Sequence, residues 1–116
     1  MAIELALVEE NLGNLDKAYA IYKMIEKENK GILSDRYYGK YGSLCSTMRL
    51  YDQAEILLNK AIRLNNNDIN AHNDLALVYE ERKEYSKSEK EFLIALNINK
   101  KYVKAYINLG VLYARQ

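Results

Sequence analysis

The chain repeats a pattern of residues at an interval of 34 positions, and this interval constrains its fold more than any other feature. Tyr41 corresponds to Leu75 and then to Leu109, and Tyr79 corresponds to Tyr113, each step being 34 positions. A repeat of this length is typical of a chain built from one small unit that stacks on copies of itself. The sequence therefore predicts a repetitive stack rather than a domain wrapped around one central core.

The first part of the chain follows the same pattern with a small shift. Tyr22 precedes Leu58 by 36 positions rather than 34. Two additional residues therefore lie in or near the segment KENKGILS, where Gly31 favours a longer turn.

Each unit has the residue spacing of two helices. Leu75, Tyr79 and Arg82 lie at i, i+4 and i+7, the spacing of one helix face. The chain contains no proline, and short polar stretches such as NNND, where Asp68 can cap the next helix, separate the periodic segments. We therefore predict an all-α chain of about seven helices, over residues 2–12, 15–29, 35–48, 51–64, 69–82, 85–98 and 103–116.

The charge balance argues against several classes of function. The 17 basic and 16 acidic residues give a formal net charge of +1, which does not suit a nucleic-acid or anionic-membrane surface. No apolar run approaches the ~20 residues that span a bilayer. The segment AIELALVEE after Met1 contains glutamates that do not fit a signal peptide, and the single Cys45 cannot form an internal disulfide. We expect a cytoplasmic protein without nucleic-acid or membrane partners.

The aromatic composition is dominated by tyrosine. The chain has eleven tyrosines, one phenylalanine and no tryptophan. Tyrosine suits half-buried positions, where the ring packs and the hydroxyl reaches water.

The segments HNDLALVY, YSKSEKEFLIAL and YINLGVLY resemble the tetratricopeptide repeat family. That family has a 34-residue helix–turn–helix unit with an aromatic, Leu-Gly or Leu-Ala, Tyr, and later alanines around an aromatic. The resemblance implies a right-handed superhelical stack of antiparallel helix pairs, with the first helix of each pair on the concave side. It divides a single domain, 1–116, into repeats over about 2–34, 35–68 and 69–102 and a half repeat over 103–116.

Residue types that could carry catalysis lie in packing positions of the repeat. His72 is the only histidine and occupies the slot of Tyr38 and Tyr106, while Cys45 occupies the slot of Tyr79. Neighbouring glutamates on a helix point about 100° apart and suit a solvated face better than a metal or acid–base site. We therefore expect no enzymatic activity, no metal and no cofactor.

The resemblance implies a peptide-binding groove along the concave side, and it identifies the residues that line it. Asparagine side chains there can bond to the backbone of an extended ligand, because an amide offers a donor and an acceptor. Leu77 and Val111 are suited either to docking a ligand or to packing between neighbouring first helices. The predicted groove residues are Arg36, Lys40, Asn73, Asp74, Leu77, Lys104, Asn108 and Val111, with Ile3, Leu7, Asn70 and Ile107 beside them.

Some family members use lysines, an arginine and asparagines at fixed slots to hold the C-terminal carboxylate of a chaperone. In one frame of the present chain, those slots hold Gly39, Ser43, Asp74, Lys104 and Asn108. Asp74 would repel a carboxylate, and the alternative frame also contains this residue. We therefore expect another kind of protein or peptide partner.

Two other functions fit the same sequence. In a self-assembly module, the open ends of the stack would contact one another. Tyr106, Leu109 and Tyr113 share the face on which the second helix of a complete unit would pack, so we predict that they form a self-association face. The chain also fits the non-catalytic repeat region of a larger enzyme, which sequence outside these residues would reveal.

Overall fold

The structure is a computed structural model that describes residues 2–29, 31 and 33–116. Within these residues the prediction of seven helices is confirmed, with ends that differ from the predicted ones by at most one residue. The helices are α1 (Ala2–Asn11), α2 (Leu15–Glu28), α3 (Asp35–Thr47), α4 (Tyr51–Leu64), α5 (Ile69–Glu81), α6 (Tyr85–Ile98) and α7 (Val103–Arg115). No helix in this part of the chain is long and apolar enough to cross a membrane.

The turn within each helix pair has the same geometry in all three pairs. Gly13, Arg49 and Lys83 have φ angles of 83°, 65° and 63°, in the left-handed region. After α3, the N–H of Leu50 bonds to the carbonyl of Cys45, and the N–H of Arg49 bonds to that of Ser46. This is the Schellman arrangement, which satisfies the last carbonyls of a helix and reverses the chain.

The turns before α3 and α5 begin the next helix by side-chain capping, whereas Tyr102 before α7 makes no such bond. Ser34 Oγ accepts the N–H of Tyr37 at 3.1 Å, and Asp68 Oδ1 accepts that of Ala71 at 3.1 Å. Each cap satisfies one backbone donor that the first turn of a helix leaves free. The predicted role of Asp68 as a cap is confirmed.

Helices pack as antiparallel pairs that stack in order, α1 with α2, α3 with α4 and α5 with α6, followed by α7. The helix α5 also contacts both α3 and α7 directly, which places the first helices of successive pairs on one side. Two groups of buried side chains hold the stack together. One joins α1 through α5, and the other joins α5, α6 and α7.

Three buried tyrosines form the centre of the larger group, although this residue type suits half-buried positions. Tyr22, Tyr37 and Tyr41 are at most 1% exposed. Tyr22 and Tyr41 stack with ring centroids 5.1 Å apart, and Tyr37 meets both edge-on. Internal hydrogen bonds satisfy two of the three hydroxyls, since Tyr37 donates to the carbonyl of Tyr22 at 2.8 Å and Tyr41 accepts from Gln53 at 3.0 Å. The hydroxyl of Tyr22 is buried without a partner among the described residues.

Candidate functional site

A groove of about 560 Å³ lies where α3, α5 and α7 meet the turns that precede α5 and α7. Small side chains keep it open, because Gly39 and Ser43 face it from α3. Its walls are polar, with three acidic and three basic residues among them. The lining residues are Asp35, Arg36, Gly39, Lys40, Ser43, Asn65, Asn67, Asp68, Ile69, Asn70, Ala71, Asn73, Asp74, Tyr102 and Lys104.

The structure brings together five of the eight residues that the sequence predicts for a groove. These five are Arg36, Lys40, Asn73, Asp74 and Lys104. Asn108 does not line the cavity but contacts Asn73 beside it. The binding role of these residues stays a prediction.

The two predicted apolar groove residues have different surroundings. Leu77 is partly buried and packs against the smaller core group of α5, α6 and α7. Val111 is 48% exposed. Leu77 therefore packs between helices, whereas Val111 is exposed and could contact a ligand.

Asn73 and Asn108 form a bridge between α5 and α7. Asn108 Nδ2 donates to Asn73 Oδ1 at 3.1 Å, and Asn73 is only 4% exposed. This contact uses one donor and one acceptor of the pair. Among the described residues, Asn73 Nδ2 and Asn108 Oδ1 have no partner. These two atoms are a donor and an acceptor, as are the N–H and C=O groups of a peptide backbone.

Asp74 is the charged residue of the groove whose titration is most altered. Burial raises the pKa of its carboxyl to about 6. A hydrogen bond from Ser43 and the positive charges of Lys104 and Lys40 oppose that shift, and the negative charge of Asp68 adds to it. Within the described part of the chain, no lysine or arginine lies within 4.0 Å of this carboxylate, so its charge is only partly balanced.

Other charges of the groove have partners within the fold. Arg36 contacts the carboxylate of Glu4 at 2.8 Å, and Asp68 caps α5. Asp35 accepts a hydrogen bond from Asn65 at 3.4 Å. The groove therefore carries neither a simple positive nor a simple negative surface.

Residues of the turns line the groove, and sequence reasoning did not include them. Tyr102 donates to Asn70 Oδ1 at 2.9 Å and closes one end, while Asn65 and Asn67 line the wall from the turn before α5. The polar composition of NNND predicts a helix boundary and a cap. Its position before a first helix, at the same edge as Asn70, is the signal that would have placed it in the groove.

His72 has a structural position, as the packing interpretation requires. It is 6% exposed, and its ring nitrogens lie 2.7 Å from Glu91 Oε1 and 2.9 Å from the carbonyl oxygen of Asn66. The bond to Glu91 raises the pKa of His72, and burial opposes that effect. Both nitrogens are engaged, so the ring joins α6 to the turn before α5.

Cys45 and the acidic pairs provide no reactive constellation in the described residues. Cys45 is fully buried, and burial raises the pKa of its thiol to about 12, so it stays protonated at neutral pH. No group of three or more His, Cys, Asp and Glu side chains in residues 2–29, 31 and 33–116 is placed to hold a metal ion.

The predicted self-association face requires a correction at Leu109. Tyr106 and Tyr113 are 54% and 50% exposed, but Leu109 is only 7% exposed. Leu109 packs with Phe92 and Leu112 in the smaller core group, because α7 turns this side toward the preceding pair. The exposed apolar residues of α7, called here the exposed α7 face, are Val103, Tyr106, Ile107, Val111 and Tyr113.

Comparisons with known proteins agree with this architecture. Residues 35–68 match the sequence model described as tetratricopeptide repeat. The crystal structure of MamA is similar, with a TM-score of 0.87 and 23% identity, over 97% of this chain and 65% of MamA. The chain thus spans slightly less than two thirds of that protein. Among curated proteins, no sequence matches the chain.

Two further solved structures are similar over most of both chains. The TPR domain of Arabidopsis OM64 has a TM-score of 0.87 and 20% identity, over 96% of this chain and 90% of that one. The second TPR domain of human RPAP3, solved with an HSP70 peptide, has a TM-score of 0.85 and 12% identity, over 97% and 92%. At these identities the likeness concerns the fold. Residues 35–68 thus match a tetratricopeptide repeat in sequence, and the described chain has the fold of solved TPR domains.

Proposed function

We propose that the chain is a non-catalytic scaffold that binds a peptide or helix of a partner protein along the groove formed by α3, α5 and α7. The observation that carries this proposal is the Asn73–Asn108 bridge beside an open cavity. Its free donor and acceptor match the acceptor and donor of an extended peptide backbone. The cavity volume of about 560 Å³ leaves room for an extended peptide segment.

Structural neighbours support the same class of function. The second TPR domain of human RPAP3 is in complex with the HSP70 peptide SGPTIEEVD, and the first TPR of Spaghetti is bound to the HSP90 peptide SRMEEVD. PcrH is in complex with the chaperone binding region of PopD. The peptides of the first two complexes are acidic. Asp74 disfavours such a ligand here, so we propose a partner of different charge.

Selection of random displayed peptides on the immobilised chain tests the proposal. The selected peptides are then measured against the groove variant Lys40→Glu/Lys104→Glu and the control Lys17→Glu/Lys90→Glu. The control makes the same charge change at exposed positions of α2 and α6. The groove variant reverses the charge of two lining residues, so we expect it to change the affinity by about tenfold, upward for a basic peptide and downward for an acidic one, and the control to stay within about twofold. Equal affinities for both variants would place the binding site elsewhere.

A second candidate function is self-association through the exposed α7 face. The observation that favours it is the exposure of five apolar side chains on one helix, with Ile107 61% and Val103 63% exposed. A contiguous apolar face of this kind is typical of a surface that another protein covers. We propose a second copy of the chain as its occupant, and a test appears in the Discussion.

A further inference from the structure

Asp74 presents a poorly balanced carboxylate to the groove. Asp74 lines the groove together with Ser43 and Lys40 of α3 and Lys104 of α7, and among the described residues neither lysine lies within 4.0 Å of its carboxylate. Asp68 adds a negative charge from the turn before α5. A carboxylate that is withdrawn from water and lacks a close cation favours a ligand that supplies one.

A second feature of the same wall points independently to a ligand. Asn73, the residue before Asp74, lines the groove and is only 4% exposed. Asn108 occupies its oxygen, whereas Nδ2 has no partner in the described residues. This unpartnered donor of a largely buried side chain in the groove wall can donate to a ligand acceptor.

We propose that the peptide held in this groove presents a lysine or arginine side chain to Asp74, while one of its backbone carbonyls accepts a hydrogen bond from Asn73 Nδ2. This inference rests on the proposed function of the groove and names the chemistry of its ligand. The two groups are adjacent in sequence and line one cavity, so a single peptide segment reaches both.

The rest of the lining is consistent with a cation at this point. The guanidinium of Arg36 contacts the carboxylate of Glu4 at 2.8 Å, so its positive charge attracts an acidic ligand less strongly. Lys40 on α3 and Lys104 on α7 lie on the two helices next to Asp74. Acidic residues of the peptide can therefore contact these lysines only if they lie before or after its central cation. The site is therefore selective for the position of a charge rather than for the net charge of the peptide.

Peptide pools with a fixed central residue test the inference. Three pools of short peptides carry lysine, glutamine or glutamate at the centre and random flanking residues, and each is titrated into three forms of the chain. These forms are the wild type, Asp74→Asn and the control Asp16→Asn, which makes the same change at an exposed position of α2. Asp74→Asn keeps the side-chain shape and an acceptor for Ser43, and circular dichroism verifies its fold. If Asp74→Asn does not fold, the variant Asp74→Ser is titrated in its place.

We expect the wild type and Asp16→Asn to prefer the lysine pool over the glutamine pool by about tenfold, a preference that falls to about twofold or less in Asp74→Asn. A wild type that binds all pools equally, or prefers glutamate, would overturn this inference and leave the groove as a binding site. A lysine preference that survives in Asp74→Asn would also overturn it. Failure of the wild type to bind any pool would contradict the proposed function itself.

Discussion

Asn108 and Asn73 lie 35 positions apart in the sequence and join α7 to α5 by a hydrogen bond of 3.1 Å. The bond lies on the side of the stack where first helices of successive pairs meet. Tyr102 adds a second link to Asn70 at 2.9 Å near the start of the same two helices. Together these polar links fix the position of α7, which has no second helix of its own among the described residues.

Substitution of Asn108 by alanine should therefore lower stability. It leaves the buried Oδ1 of Asn73 without its partner, so we expect a loss of about 1–3 kcal/mol with little change in helical content. Urea denaturation measures the change. Asn97→Ala, at an exposed position of α6, is the matched control and should cost less. Equal losses for both variants would contradict the structural role of the bridge.

Two glycines in the same slot of the repeat should respond oppositely to alanine. A Cβ on Gly42 would lie 2.8 Å from Leu58 Cγ and 3.2 Å from its backbone nitrogen, whereas a Cβ on Gly110 meets nothing within 4 Å. We expect Gly42→Ala to destabilise the chain by about 1–3 kcal/mol through overpacking. Gly110→Ala should be neutral or stabilising by about 0.5–1 kcal/mol, because alanine favours the helix. Thermal unfolding of both variants is the measurement, and equal shifts would contradict the packing.

Stability should fall as pH rises above 6.5 because of His72. Glu91 raises the folded pKa of this residue above its unfolded value near 6.5. The protonated ring therefore contributes stability that is fully present below pH 6.5 and is lost as pH rises through the folded pKa. Replacing His72 by phenylalanine should remove this part of the pH dependence. Parallel slopes for the wild type and His72→Phe above pH 6.5 would contradict the assignment.

The exposed α7 face should mediate concentration-dependent association. Tyr106→Lys/Ile107→Lys places two charges on this face, so we expect it to remain monomeric where the wild type self-associates. Ile56→Lys/Leu93→Lys is the control, because both residues are at least 50% exposed and lie on α4 and α6. Static light scattering across a concentration series measures the mass. A wild type that stays monomeric throughout, or a control that behaves as the α7 variant does, would contradict this role.

The fold followed from the sequence because the 34-residue interval repeats the same packing slots. Leu75, Tyr79 and Phe92 mark the buried sides of a helix pair, and copies of that pattern predict the other pairs. Capping by Asp68 was equally local and could be read from residue type and position. Helix positions and caps, which depend on residues close together in the sequence, were thus predictable.

Features that depend on the contact between units were predicted less well. Leu109 was assigned to an open face, because its position in the pattern does not reveal that α7 turns this side toward Phe92. The hydroxyl of Tyr37 is buried because it donates to the backbone carbonyl of Tyr22, a contact that their spacing of 15 positions does not indicate. The turn residues Asn65 and Asn67 reach the groove only through the stacking of pairs.

The most direct test of the groove as the binding surface is an NMR titration of the ¹⁵N-labelled chain with a peptide recovered from the display selection. The account predicts that the largest amide shifts fall on the concave side of α3, α5 and α7, including Lys40, Asn73 and Lys104. Side-chain amide signals of Asn73 and Asn108 should also move. Shifts concentrated on α2, α4 and α6, with the groove signals unchanged, would contradict it.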